Sequence, residues 1–202
     1  MRKKLFLLGI IAFILWLPII NAFALTIDFE GLTDSTPVTT QYSGFGVEFS
    51  GATVLTAGIS LNEFEFPPYS GTNVVYDESG PIFVTFSTPL LDAGGYFTYL
   101  SPVTLTAYDS LFSILDTVTS AYSSNMALSG DLGSSPNEFL QVAFSGGISY
   151  LAIEGDSFGG SFTLDDFTAT PRPETVVPEP ATLLLLGSGL AGLLGYRKIK
   201  ST

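Results

Sequence analysis

Acidic side chains at the two ends of one region carry the first chemical suggestion in this sequence. Ile27 and Phe29 alternate with Asp28 and Glu30 at its start, while Asp165 and Asp166 are adjacent near its end. Alternation puts the two apolar residues on one face of a strand and the two acids on the other. Neighbouring like charges on a strand are unfavourable unless water solvates them or a cation neutralises them. A hard cation such as Ca2+, which takes carboxylate and carbonyl oxygens, suits such a set. Asp28, Glu30, Asp165 and Asp166 are therefore the candidate metal ligands, with carbonyls of Ser70-Gly71-Thr72-Asn73 completing the shell. The alternative is a set of solvated acids at strand ends, and Glu154-Gly155-Asp156-Ser157 reads chiefly that way. Paired carboxylates can also hydrolyse glycosides. With neither His nor Cys in the chain, His-assisted nucleophiles and the usual zinc sites are excluded.

Charge is distributed unevenly. Every basic residue lies towards an end: Arg2, Lys3, Lys4, Arg172, Arg197, Lys198 and Lys200. Of the 19 acids only Glu174 and Glu179 fall outside residues 25–170, so that region holds 17 acids and no base. Phosphate recognition rests on Lys and Arg, so the region is not a nucleic-acid binder. Sugars are recognised differently, by flat aromatic faces stacking on pyranose rings. Tyr69, Tyr76, Tyr96, Tyr99 and Tyr122 are the candidates near loops, although aromatics at alternating strand positions more often belong to a core.

No helical period runs through residues 25–170. Short runs rich in Val, Ile, Thr, Phe and Tyr alternate with Gly, Ser, Pro and Asn clusters, the pattern of strands and turns. Strands are expected over 25–30, 46–50, 59–66, 73–77, 82–86, 96–100, 103–108, 112–119, 139–144, 148–153 and 162–169. Turns are expected at Ser43-Gly44, Pro67-Pro68, Ser70-Gly71, Ser79-Gly80, Gly94-Gly95 and Gly146-Gly147. In the last strand Phe162 and Leu164 share a face but Phe167 breaks the parity. A one-residue bulge between them would return Phe167 to the core face and re-aim the aspartates. The first and last strands of a sandwich are often neighbours, which would bring the two acid pairs together. Such spacing predicts an all-β fold: an antiparallel β-sandwich of the jelly-roll kind.

The ends read as export machinery. Arg2, Lys3 and Lys4 precede an apolar run and small residues at Ala22 and Ala24, the pattern a signal peptidase cleaves, which makes residues 1–24 a signal peptide. Residues 171–180 are a Pro-rich spacer. Residues 181–196 are apolar and uncharged, followed by Arg197, Lys198 and Lys200, as for a transmembrane helix with a cytoplasmic basic stop. Val177-Pro178-Glu179-Pro180, the apolar segment with Gly187, Gly189, Gly192 and Gly195, and the basic end resemble the PEP-CTERM sorting signal of Gram-negative bacteria. That resemblance implies an exosortase acting at Pro178, Glu179 and Pro180, transient anchoring in the inner membrane through residues 181–196, and release towards the cell surface. It also implies association with exopolysaccharide and biofilm. More loosely, residues 27–32, 42–49 and 162–167 resemble the β-sandwich modules such proteins carry, and calcium-stabilised jelly-roll carbohydrate-binding modules have similar ends.

Taken together, the sequence predicts a signal peptide (1–24), a β-sandwich (25–170), a spacer with the Pro-Glu-Pro motif (171–180) and a membrane helix with basic tail (181–202). The function expected is that of a non-enzymatic, exported surface or matrix protein associated with extracellular polysaccharide. Its rivals are a carbohydrate-binding module with a defined glycan and a secreted glycosidase-like enzyme.

Overall fold

The computed structural model describes residues 24–173 and 188–189. The predicted signal segment with Ala22, the Pro178-Glu179-Pro180 motif and most of the apolar stretch 181–196 lie outside these residues. The chain divides into a large unit ending at Arg172 and a C-terminal unit beginning at Pro173. Among the described residues no helix is long and apolar enough to cross a membrane.

Among the described residues of the large unit there are ten strands: β1 (Leu25–Ile27), β2 (Pro37–Val38), β3 (Val47–Ser50), β4 (Ala52–Thr56), β5 (Asn73–Asp77), β6 (Ile82–Tyr99), β7 (Thr104–Tyr108), β8 (Ile114–Thr119), β9 (Glu138–Glu154) and β10 (Phe162–Pro171). Every pairing between them is antiparallel. Hydrogen-bonded neighbours run β2-β4-β5-β10-β6-β9-β7-β8, with β1 on β10 and β3 on β6. The regular strands are joined by turns and one short 3-10 turn at Ser43–Phe45.

β6 and β9 explain how one ladder becomes two layers. They are 18 and 17 residues long, about three times an ordinary strand. Their mutual register shifts between Thr85 and Asp92. Before the shift β6 pairs with β3 and with the second half of β9, which carries β7; after it, β6 pairs with β10 and the first half of β9. The two layers face each other across aromatic rings: Phe49 of β3 lies 5.3 Å edge-on from Phe167 of β10, and Phe86 lies 6.4 Å from the same ring. The fold is thus the antiparallel, all-β sandwich expected.

Several expected elements moved. Gly94-Gly95 and Gly146-Gly147 are not turns; both pairs lie inside the long strands, so the four expected strands around them are halves of β6 and β9. Gly94 is required because a Cβ there would strike the Leu140 carbonyl oxygen of the neighbouring strand, and Gly147 because its φ is 102°. Residues 59–66 form no strand. Successive backbone bonds to Thr56 and Asn62 wind them into turns, leaving Ile59 and Phe64 exposed. The strand in that neighbourhood is β4, whose buried and half-buried run lacks the alternation that would have betrayed it. β10 extends to Pro171, within the stretch read as spacer; Pro171 pairs with Leu90 where the register is already irregular, a position that tolerates a missing N–H.

Candidate functional site

The two acid pairs reach the same loop, one of them through the bulge that the parity of Phe167 required. The β10–β6 register shifts between Asp165 and Thr168, and Asp166 takes a φ of 42°, a left-handed conformation that Asp adopts more readily than most residues. The extra residue brings Phe167 to complete burial, worth about 1.5–3 kcal/mol. β10 also changes neighbour there. Thr163 and Leu164 pair with β5, whereas Phe167 to Ala169 pair with β1. The junction between β1 and β5 is occupied by the chain leading into β5, residues 67–72.

The acids hold that chain through its donors. Asp165 Oδ2 accepts the N–H groups of Tyr69 (2.7 Å) and Ser70 (2.9 Å), and its Oδ1 accepts that of Asp166 (2.7 Å). Asp166 Oδ1 accepts the Ser70 hydroxyl at 2.9 Å. Glu30 Oε1 accepts the N–H groups of Thr72 (2.8 Å) and Asn73 (2.7 Å), and Oε2 accepts the Thr72 hydroxyl at 3.1 Å. Asp28 takes the N–H of Glu30 at 3.2 Å. Asn73 completes the junction by donating to the carbonyls of Phe29 and Leu32. Asp165 is only 1% exposed. Burial pushes its carboxyl up to about 6, with Asp166 adding to the rise and the three amide donors opposing it.

Residue types alone left a cation or solvent as the partner of these acids. In the structure, amides and hydroxyls of residues 69–73 donate to Glu30, Asp165 and Asp166, while Asp28 accepts from Glu30. Among the described residues no group of three or more acidic side chains is arranged to hold a metal ion. A cation would first have to displace charge-assisted bonds, each stronger than an ordinary hydrogen bond. Asp77, the other buried acid raised by desolvation, is employed similarly. It accepts the Ser161 N–H and hydroxyl and the Phe162 N–H at 2.7–3.0 Å.

What the Asp165 clamp positions is an aromatic platform. Tyr69 lies flat on Tyr96, centroids 3.5 Å apart and planes 7° from parallel, and Phe139 leans on the other side of Tyr96 at 5.1 Å. Tyr69 is 49% and Phe139 45% exposed. Gln141 and Asp92, hydrogen-bonded at 3.1 Å, stand on the same outward side of the layer, two residues along each strand from Phe139 and Gly94. Of the other tyrosines considered, Tyr99 is wholly buried with its hydroxyl on Glu138. Tyr76 is half-buried in β5, and Tyr122 donates to the Gly133 carbonyl. Phe139 escaped the sequence reading because alternation alone does not tell an outward from an inward ring.

The C-terminal end decides the wider assignment. Residues 176–198 match the PEP-CTERM protein-sorting motif. This chain carries a PEP-CTERM sorting signal. The PEP-CTERM signal marks an exported protein processed by an exosortase, as its resemblance implied, with Pro178, Glu179 and Pro180 inside the matched segment. No curated protein matches the chain. Among solved structures, a DUF4465 family protein from Bacteroides caccae is similar to it at 12% identity, over 74% of this chain and 99% of that one, with a TM-score of 0.46. The K2 cleaved adhesin domain of Lys-gingipain is similar at 14% identity over 73% and 99%, TM-score 0.44. The CBM22-1 xylan-binding domain of Paenibacillus barcinonensis Xyn10C is similar at 14% identity over 75% and 96%, TM-score 0.37. No ligand or activity of this chain follows from them.

Proposed function

We propose that this protein is a non-enzymatic module of the cell surface or extracellular matrix, retained there by extracellular polysaccharide after exosortase processing. The sorting signal at residues 176–198 carries the proposal. It supports a reading in which a folded, strongly acidic sandwich is exported, with residues 181–196 anchoring it transiently in the inner membrane of a Gram-negative bacterium before processing. The buried acids Asp77 and Asp165 support a non-catalytic reading, because the oxygens of each accept backbone donors rather than pointing into a cleft. A glycan-binding role is favoured by a specific observation, the exposed Tyr69–Tyr96–Phe139 platform.

The test is made in the producing cell. The mature protein recovered from the surface is expected to lack residues before about Leu25 and after about Pro180, as its intact mass will show. It is also expected to fractionate with extracted exopolysaccharide and to appear in the medium of cells unable to make that polymer. A surface protein still ending in Thr202, or one equally retained without the polymer, overturns the proposal.

A further inference from the structure

The layer opposite the Tyr69 platform carries a second aromatic feature. Tyr150 of β9 pairs with Thr85 of β6 on one side and Tyr108 of β7 on the other, and the three occupy positions half-buried or exposed, beside inward Val84, Leu151 and Ala107. Phe83 stands in the next row of the same face, beside the small residues Ala152 and Thr106. The turn after β7 then folds Phe112 back over Tyr150, ring centroids 4.4 Å apart and planes 12° from parallel. Tyr108 closes the group at 6.3 Å from Phe112. These residues line a cleft of about 360 Å³, inside the range of small-molecule sites (about 300–1,000 Å³).

Two observations say the cleft is built rather than incidental. Phe112 has a φ of 59°, a conformation costly for a bulky side chain, of order 1–3 kcal/mol. Asp109 holds it there: its carboxylate accepts the N–H groups of Leu111 (2.8 Å) and Ser113 (2.9 Å), and its carbonyl accepts that of Phe112 (3.1 Å). Yet Phe112 remains 65% exposed, so core packing does not repay the strain. The second observation is chemical. The lining combines flat apolar rings with three hydroxyls (Thr85, Tyr108 and Tyr150), none hydrogen-bonded to another of the described residues. It contains no charge, in a region of 17 acids and no base. Such a surface repels acidic polymers by its field and offers stacking plus hydroxyl pairing to a neutral ring.

We propose that the cleft formed by Phe83, Thr85, Tyr108, Phe112 and Tyr150 binds neutral pyranose units of a polysaccharide and excludes uronate-type polymers. This rests on the polysaccharide association proposed above and assigns it a site. The processed, exported protein is run in native gels cast with galactan, mannan or mixed-linkage β-glucan as neutral probes, and with alginate as the acidic one. At least one neutral polymer is expected to retard it, and alginate is not. Phe112→Asn keeps a residue tolerant of positive φ while removing the ring, so its melting temperature should not fall; retardation is expected to weaken about tenfold or more, and likewise in Tyr150→Ala. Tyr69→Ala separates the two surfaces. If it abolishes retardation while Phe112→Asn does not, the cleft assignment fails and glycan binding by the platform stands. Retardation by alginate alone, by no neutral polymer, or a concentration-dependent dimer lost in Phe112→Asn overturns the inference.

Discussion

Lowering the pH from 7 to 5 is expected to stabilise this protein, although acid destabilises many others. Asp165 ionises at about 6 in the folded chain against an ordinary 3.8, because burial penalises its charge more than its amide donors favour it. The folded state therefore binds the proton more tightly than the unfolded one. The resulting stabilisation is fully present below about pH 4 and is lost as pH rises through about 6. A displacement of that size amounts to about 3 kcal/mol over the whole range. Between pH 7 and pH 5 the linkage relation gives roughly 1.3 kcal/mol of it, or roughly 3–5 °C in melting temperature for a domain of this size. Asp77, also raised by burial, acts in the same direction. Urea unfolding followed by circular dichroism, in ~1 M NaCl where the Debye length is about 3 Å, removes most of the general charge effect. Asp165→Asn is expected to be less stable throughout, since its amide NH2 meets the Asp166 N–H. The decisive quantity is its slope, which should lose the Asp165 share. A wild-type protein less stable at pH 5 than at pH 7, or an unchanged slope in Asp165→Asn, would show that Asp165 is not held ionised at a cost.

Two further expectations concern the acids as a population. With 17 acids and no base in residues 25–170, the melting midpoint at pH 7 should rise by several degrees between ~10 mM and ~150 mM NaCl, as the Debye length falls from about 30 to about 8 Å; an unchanged midpoint would mean that the charges are too dispersed to repel. Millimolar calcium should raise the midpoint no further than ionically matched NaCl, because Asp165 and Glu30 already spend their oxygens on residues 69–73. A calcium-specific increase that disappears in Asp166→Ala would restore a cation to this junction.

Much of this protein is legible without coordinates, and for local reasons. A sorting signal is read by other proteins as a linear segment, so Pro178-Glu179-Pro180, the apolar run and the basic end announce themselves in order. Alternation placed Ile27 and Phe29 inward and Asp28 and Glu30 outward, and the broken parity of Phe167 disclosed the bulge, since a period-two strand cannot bury Phe162, Leu164 and Phe167 otherwise. Glycine was ambiguous for an equally physical reason. Gly94 and Gly147 serve a close strand contact and a positive φ inside long strands, and the same residue would serve a turn. Tertiary structure alone decided what the acids face. Carboxylate chemistry permits a cation, an amide or water, and only the return of residues 67–72 to the gap between β1 and β5 selected the amides. It likewise decided which rings remain outside. Phe112 and Tyr150 are 38 residues apart in the sequence, and their stacking depends on a turn after β7 folding back over β9, a long-range contact that no local pattern records.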